Sequence, residues 1–162
     1  MMFTMQRRRF IQALHALAGA ATVGHLAPAG ATPSVSVDVW KDPNCGCCGD
    51  WVRHLQDNGF AVRVHDTGNT AVRKRLGIPE HLGSCHTALV GGYAIEGHVP
   101  AREIRRLLAE KPQAVGLTVP GMPVGSPGMD GPAYGGRLDP YEVLLITRDG
   151  RTRSFQSYGR KA

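Results

Sequence analysis

The chain has 162 residues, 42% hydrophobic and 20% charged, which is enough for one modest core and leaves little room for two domains. Its formal charge of +6 leans on Arg7, Arg8 and Arg9; without them the 19 basic side chains fall to 16 against 13 acidic ones, scattered along the chain. A nucleic-acid or membrane-surface role thereby loses its main support, and after the first thirty residues no apolar run is long enough to span a bilayer.

Residues 1–31 read as an export signal rather than as part of the fold. Gln6-Arg7-Arg8-Arg9-Phe10-Ile11-Gln12 precedes a mildly apolar, Ala/Gly-rich run from Ile11 to Val23. Ala27-Pro28-Ala29 and Ala29-Gly30-Ala31 both fit an A-x-A cleavage pattern. The Arg-Arg-x-Phe-Ile order resembles a twin-arginine signal, with Gln6 where Ser or Thr is usual; an ordinary secretory signal is the alternative. Either route predicts a mature protein outside the cytoplasm, in the periplasm, with His15 and His25 discarded.

Val35, Val37 and Val39 alternate with Ser36 and Asp38, the period of a strand with one buried face. After Asp42-Pro43-Asn44, the positions Cys48, Trp51, Val52 and Leu55 form one stripe of a helix that Asn58-Gly59 ends. Phe60, Val62 and Val64 mark a second strand. Asn69 is placed to cap a short helix containing Val72 and Leu76, stopped by Gly77 and Pro79. Residues 87–90 and 93–96 flank Gly91-Gly92 as a hairpin. Pro100 opens a third helix whose Ile104, Leu107 and Leu108 face inward, with Pro112 beyond its end. The order βαβ, short helix, ββ, α predicts an α/β (α+β) fold with a four-stranded mixed sheet.

Between residues 112 and 140 the pattern fails, because those positions hold 7 Gly and 6 Pro. A loop of that length in a compact domain is usually functional or disordered. A well-patterned hairpin follows, residues 141–147 and 152–158 around Arg148-Asp149-Gly150-Arg151, so the stretch reads as a loop held against the domain. The expected organisation is a signal at 1–31, a domain at 32–111, a Gly/Pro/Met loop at 112–140 and a terminal hairpin at 141–162.

The chemistry lies in four cysteines. They allow three disulfide pairings, one of which joins the neighbours Cys47 and Cys48 in strained geometry. Cys45 and Cys48 form a Cys-x-x-Cys pair after a strand and at a helix N-terminus, where unpaired N–H groups and the helix dipole stabilise thiolates. A structural zinc knuckle would want a second such pair downstream.

Strand, Cys-Gly-x-Cys, helix and the later ββα order resemble the thioredoxin fold over residues 35–111. The chain departs from thioredoxins in having Cys47 where they usually have proline, and Cys85-His86-Thr87 where their cis-proline precedes the third strand. That loop faces the Cys-x-x-Cys in thioredoxins, so the resemblance brings Cys85 and His86 beside Cys45, Cys47 and Cys48, a donor set suited to a soft metal. Cys45-Gly46-Cys47-Cys48, Ser84-Cys85-His86-Thr87-Ala88, Gly97-His98-Val99-Pro100-Ala101 and the run from Val119 to Met129 together resemble the CopG-like copper-resistance family of bacterial periplasmic proteins. The resemblance implies a thioredoxin-like fold, a cysteine-held copper site and a role in handling periplasmic copper, including exchange between its oxidation states.

His86, in the facing loop, is a candidate ligand or a donor to one, and imidazole suits copper and zinc alike. His98 follows the fourth strand and is a candidate ligand, with an ordinary strand-end histidine as the alternative. His54 lies two helical turns, roughly 10 Å, from Cys47 and reads as a solvated helix residue. His65 and His81 read as surface residues. Met122 and Met129 lie in the Gly/Pro loop rather than on an apolar stripe. Their thioethers suit Cu(I), as ligands or as transfer points, and packing of the loop over the cysteines is the alternative.

The sequence therefore points to a protein that sequesters or transfers Cu(I), with Cys45, Cys47, Cys48, Cys85, His86, His98, Met122 and Met129 as candidate ligands. Adjacent thiolates can bridge metals, so a multinuclear copper site is expected. The expected partners are copper ions and other periplasmic copper-handling proteins, with no nucleic acid and no membrane span after signal removal. Cys45 and Cys48 double as a candidate redox pair. A thiol-disulfide oxidoreductase is the first alternative, and a zinc-stabilised interaction module the second.

Overall fold

β1 (Ser36–Lys41) alternates as its sequence requires, with Val37, Val39 and Lys41 buried. In this computed structural model, which describes residues 34–159, it runs near one end of a seven-stranded mixed sheet of order β2-β1-β3-β4-β5-β6-β7. The export signal expected over residues 1–31 lies outside the described residues.

α1 (Gly46–Asp57) buries Cys48, Trp51, Val52 and Leu55, the stripe expected from their spacing. Gly59, at φ +78°, ends the helix in the left-handed region that favours glycine. The chain then returns as β2 (Ala61–His65), parallel to β1. β2 is the sheet's edge, so the expected inward face is only partly covered: Phe60 is buried, but Val64 is 38% exposed. α2 (Thr70–Arg75) and a 3-10 turn at Glu80–Leu82 lead to β3 (His86–Val90), which pairs antiparallel with both β1 and β4 (Tyr93–Glu96). Both glycines of the Gly91-Gly92 turn take positive φ, as a tight two-residue hairpin requires. This β1–β4 arrangement is consistent with the expected thioredoxin-like pattern.

α3 (Ala101–Glu110) crosses to a strand that composition concealed, β5 (Ala114–Thr118), parallel to β4. Gly116 is the reason both for the strand's fit and for its illegibility. A Cβ there would lie 1.7 Å from the Ala94 carbonyl oxygen, so a residue that reads as loop punctuation is demanded by close strand approach. β5 then pairs antiparallel with β6 (Tyr141–Thr147), which pairs with β7 (Thr152–Tyr158). The terminal hairpin is thus an extension of the sheet, which has seven strands where four were expected, and the irregular stretch shrinks at its N-terminal end.

One face of the sheet buries the larger core, with Val39, Trp51, Leu55, Ile104, Leu107 and Leu117 among its members. A smaller cluster of Ile78, Leu82, Ala94 and Ile146 lies on the other face, as strand alternation dictates for Ala94 beside Ile95 and Ile146 beside Leu145. Among the described residues no helix is long and apolar enough to cross a membrane.

Two local expectations are corrected and one is filled in. Asn69 makes no capping bond to α2; its amide Nδ2 donates instead to the Ser84 carbonyl and Thr87 Oγ1. His54 is half-buried rather than solvated, and its Nε2 accepts the Ala101 N–H at 3.1 Å, satisfying a free donor at the start of α3. Burial holds its pKa below the ordinary histidine value, against the pull of Asp130 and Asp57, which favours the neutral ring that accepts this bond. His65 has partners: Asp38 Oδ1 at 2.9 Å and the Trp40 ring, stacked at 4.8 Å.

Candidate metal centre

The turn after β1 is set by Asp42, whose side chain accepts the Asn44 N–H and whose carbonyl accepts the Cys45 N–H. Cys45 occupies the N-cap of α1 with extended backbone, which puts Cys47 and Cys48 in the first helical turn. First-turn N–H groups have no intrahelical acceptor, so this end carries positive partial charge toward the sulfurs. Cys85 sits at the end of the loop before β3, and His98 two residues after β4.

The fold brings the four cysteines together, with their sulfurs all within 4.8 Å of one another. Cys45 and Cys48 are joined as a disulfide; Cys47 and Cys85 are free. Cys47 Sγ lies 3.6 Å from Cys45 Sγ and 4.0 Å from Cys85 Sγ. A second group shares Cys85: its sulfur is 3.3 Å from His86 Nδ1 and 3.1 Å from His98 Nε2. Cys85 is therefore the one residue common to a sulfur cluster and a Cys-His-His cluster.

Electrostatics prepare the two classes of donor differently. Burial, then the neighbouring Cys47, pushes the Cys85 thiol up to about 12, so it carries its proton at neutral pH and an arriving metal must displace it. Burial, reinforced by His98, pushes His86 down to about 3, and burial also lowers His98, so both rings present neutral nitrogens. His86 is packed against Trp51 with ring centres 4.2 Å apart, and its buried Nε2 has no hydrogen-bond partner among the described residues.

The two methionines separate. Met122 is 52% exposed and lines an open groove with Arg73, Glu80, Ser84, Cys85 and Gly121. Met129 is half-buried, and its sulfur accepts the Tyr134 hydroxyl at 3.2 Å. His81 is exposed, as expected.

A supporting network escaped the sequence. Glu96, fully buried, accepts from Arg73 Nε at 2.8 Å, from the Ser84 N–H at 2.6 Å and from the Thr87 hydroxyl. Arg73 also donates to the Ser84 carbonyl. Helix, strand and loop are thus tied around the residue preceding Cys85. Burial raises the Glu96 pKa, opposed by Thr87, Ser84 and Arg73. Arg73, Ser84 and Glu96 share no periodic spacing; the only local hint was a glutamate closing an otherwise apolar strand.

A family model described as "Protein of unknown function, DUF411" matches residues 82–129, the stretch from the loop before Cys85 to Met129. No curated protein matches. Two solved structures titled "Copper resistance protein copG", Form 2 and Form 1, are each 47% identical to this chain with a TM-score of 0.72. The similarity covers 78% of this chain and 99% and 98% of theirs.

Proposed function

The chain belongs to the CopG-like copper-resistance family, and from that membership we propose that it binds Cu(I) outside the cytoplasm, to sequester or transfer it. The observation that carries the reading is the shared Cys85: four sulfurs form one group and two neutral imidazoles form a second with Cys85, the single thiol common to both. Thiolate is a soft donor that suits Cu(I), and a thiolate with metal on two sides bridges, so the site is read as multinuclear. Met122, exposed on the groove that reaches Cys85, is the thioether best placed to receive or hand on copper. Met129, already held by Tyr134, contributes less. The twin-arginine-like signal supports a periplasmic destination, where other copper-handling proteins are the expected partners.

The Cys45–Cys48 disulfide supports redox exchange with the metal. Forming it from two thiols releases two electrons and two protons, and two Cu(II) ions becoming Cu(I) take up the electrons. The same disulfide also favours the second reading, a thiol-disulfide oxidoreductase, in which Cys47 and Cys85 would trap mixed disulfides rather than serve turnover. The metal content of the protein isolated from periplasmic extract separates these readings. Copper at one equivalent per chain or more is expected; metal-free protein would favour the oxidoreductase, and zinc the interaction module.

A further inference from the structure

The late Gly/Pro loop carries an interaction that no side-chain motif announces. His98 is fully buried, and its Nδ1 lies 2.8 Å from the Pro127 carbonyl oxygen while its Nε2 lies 3.1 Å from Cys85 Sγ. A carbonyl oxygen can only accept, so Nδ1 must carry the proton. We propose that residues 126–128 are a positioning element for the metal site: the Pro127 carbonyl fixes the His98 tautomer, leaving Nε2 as the bare nitrogen that faces a metal at Cys85. The proposal rests on the copper-binding reading. It gives the loop a role through its main chain, distinct from its methionine sulfurs.

The loop is built to hold that carbonyl still. Ser126 is buried, its hydroxyl donates to the Pro123 carbonyl at 2.6 Å, and its own carbonyl accepts the Met129 N–H. The Gly125 N–H donates to the Met129 carbonyl at 2.8 Å, closing the turn. Proline at 127 fixes φ at the residue whose carbonyl is used. Gly128, at φ +88°, lies against the first two turns of α1: a Cβ there would come within 2.7 Å of the Cys47 carbonyl oxygen and 2.8 Å of the Trp51 nitrogen. The residue after Pro127 is thus pinned to the helix that carries the Cys-x-x-Cys, and the carbonyl, His98 and the cysteines form one rigid arrangement. Metal-binding histidines commonly donate their second nitrogen to a carbonyl, and altering that outer partner typically costs 10–100-fold in affinity.

The test reads the ring directly. Long-range 1H–15N correlation on 15N-labelled, metal-free, reduced full chain should show His98 as the Nδ1–H tautomer. An Nε2–H ring would overturn the proposal. Gly128→Ala, whose Cβ must displace the loop from α1, should mix the tautomers and weaken Cu(I) binding about ten- to a hundredfold. Gly131→Ala, in the same loop with open space around it, should change neither. Wild-type tautomer and affinity in a folded Gly128→Ala protein would refute the positioning role. If that variant does not fold, the wild-type tautomer still decides. A wild type that takes up no Cu(I) would overturn the copper reading instead, because the tautomer is read without metal.

Discussion

Cys85→Ser is expected to weaken Cu(I) binding by about a hundredfold or more and to reduce the number of coppers held per chain. Outer-shell changes typically cost 10–100-fold in metal affinity, and this substitution removes a donor itself. It also removes the donor that both clusters share, whereas losing His98 or Cys45 would leave one cluster complete. Serine keeps the size but not the soft sulfur, and its hydroxyl is a poor Cu(I) ligand. Competition with a Cu(I) chelator of known affinity, run anaerobically on reduced protein, measures both quantities. Because Cys85 keeps its proton until metal displaces it, wild-type affinity should rise with pH across the neutral range, and the Ser variant should lose the share of that dependence that Cys85 contributes beside the other thiols. Wild-type affinity in the variant would remove Cys85 from the site.

Arg73→Met should destabilise the fold by about 3 kcal/mol, near the lower end of what uncompensated buried charge costs. Glu96 is fully buried, and Arg73 is its cationic partner as well as a donor to the Ser84 carbonyl. Methionine replaces the volume and leaves the carboxylate facing only neutral donors. Without Arg73 the folded-state pKa of Glu96 rises further above its unfolded value, so the folded variant gains stability as the carboxyl protonates and loses it as pH rises through that raised pKa. The deficit against wild type should therefore shrink in mild acid and grow toward neutral pH. Thermal unfolding at pH 5 and pH 7.5 measures it, with a drop of roughly 10 °C expected at the higher pH. A constant deficit at both would mean that Arg73 contributes packing rather than charge.

Much of the site's scaffold was legible because it is local. The spacing of Cys48, Trp51, Val52 and Leu55 marked the helix face, Gly91-Gly92 marked the hairpin, and the resemblance to thioredoxins implied that the Cys85 loop lies opposite the Cys-x-x-Cys. What stayed hidden depends on contacts between distant segments. β5 was masked by a glycine whose need arises only against Ala94 on the neighbouring strand. Asn69, well placed in sequence to cap a helix, turns instead to the loop before Cys85, because Ser84 and Thr87 offer it partners across 15 and 18 residues. His54 reads as solvated on a helical wheel until α3 presents its first N–H. The bond between His98 and Pro127 uses a main-chain oxygen, which no residue type advertises.

The claim that the cysteine cluster is the copper site is tested most directly by anaerobic Cu(I) titration of the reduced mature chain beside its Cys45→Ser/Cys48→Ser variant. Removing two of the four sulfurs should leave the variant folded, with Cys85, His86 and His98 in place, yet binding fewer coppers and yielding them to a chelator that the wild type resists. Equal and weak uptake by the two proteins would contradict the account.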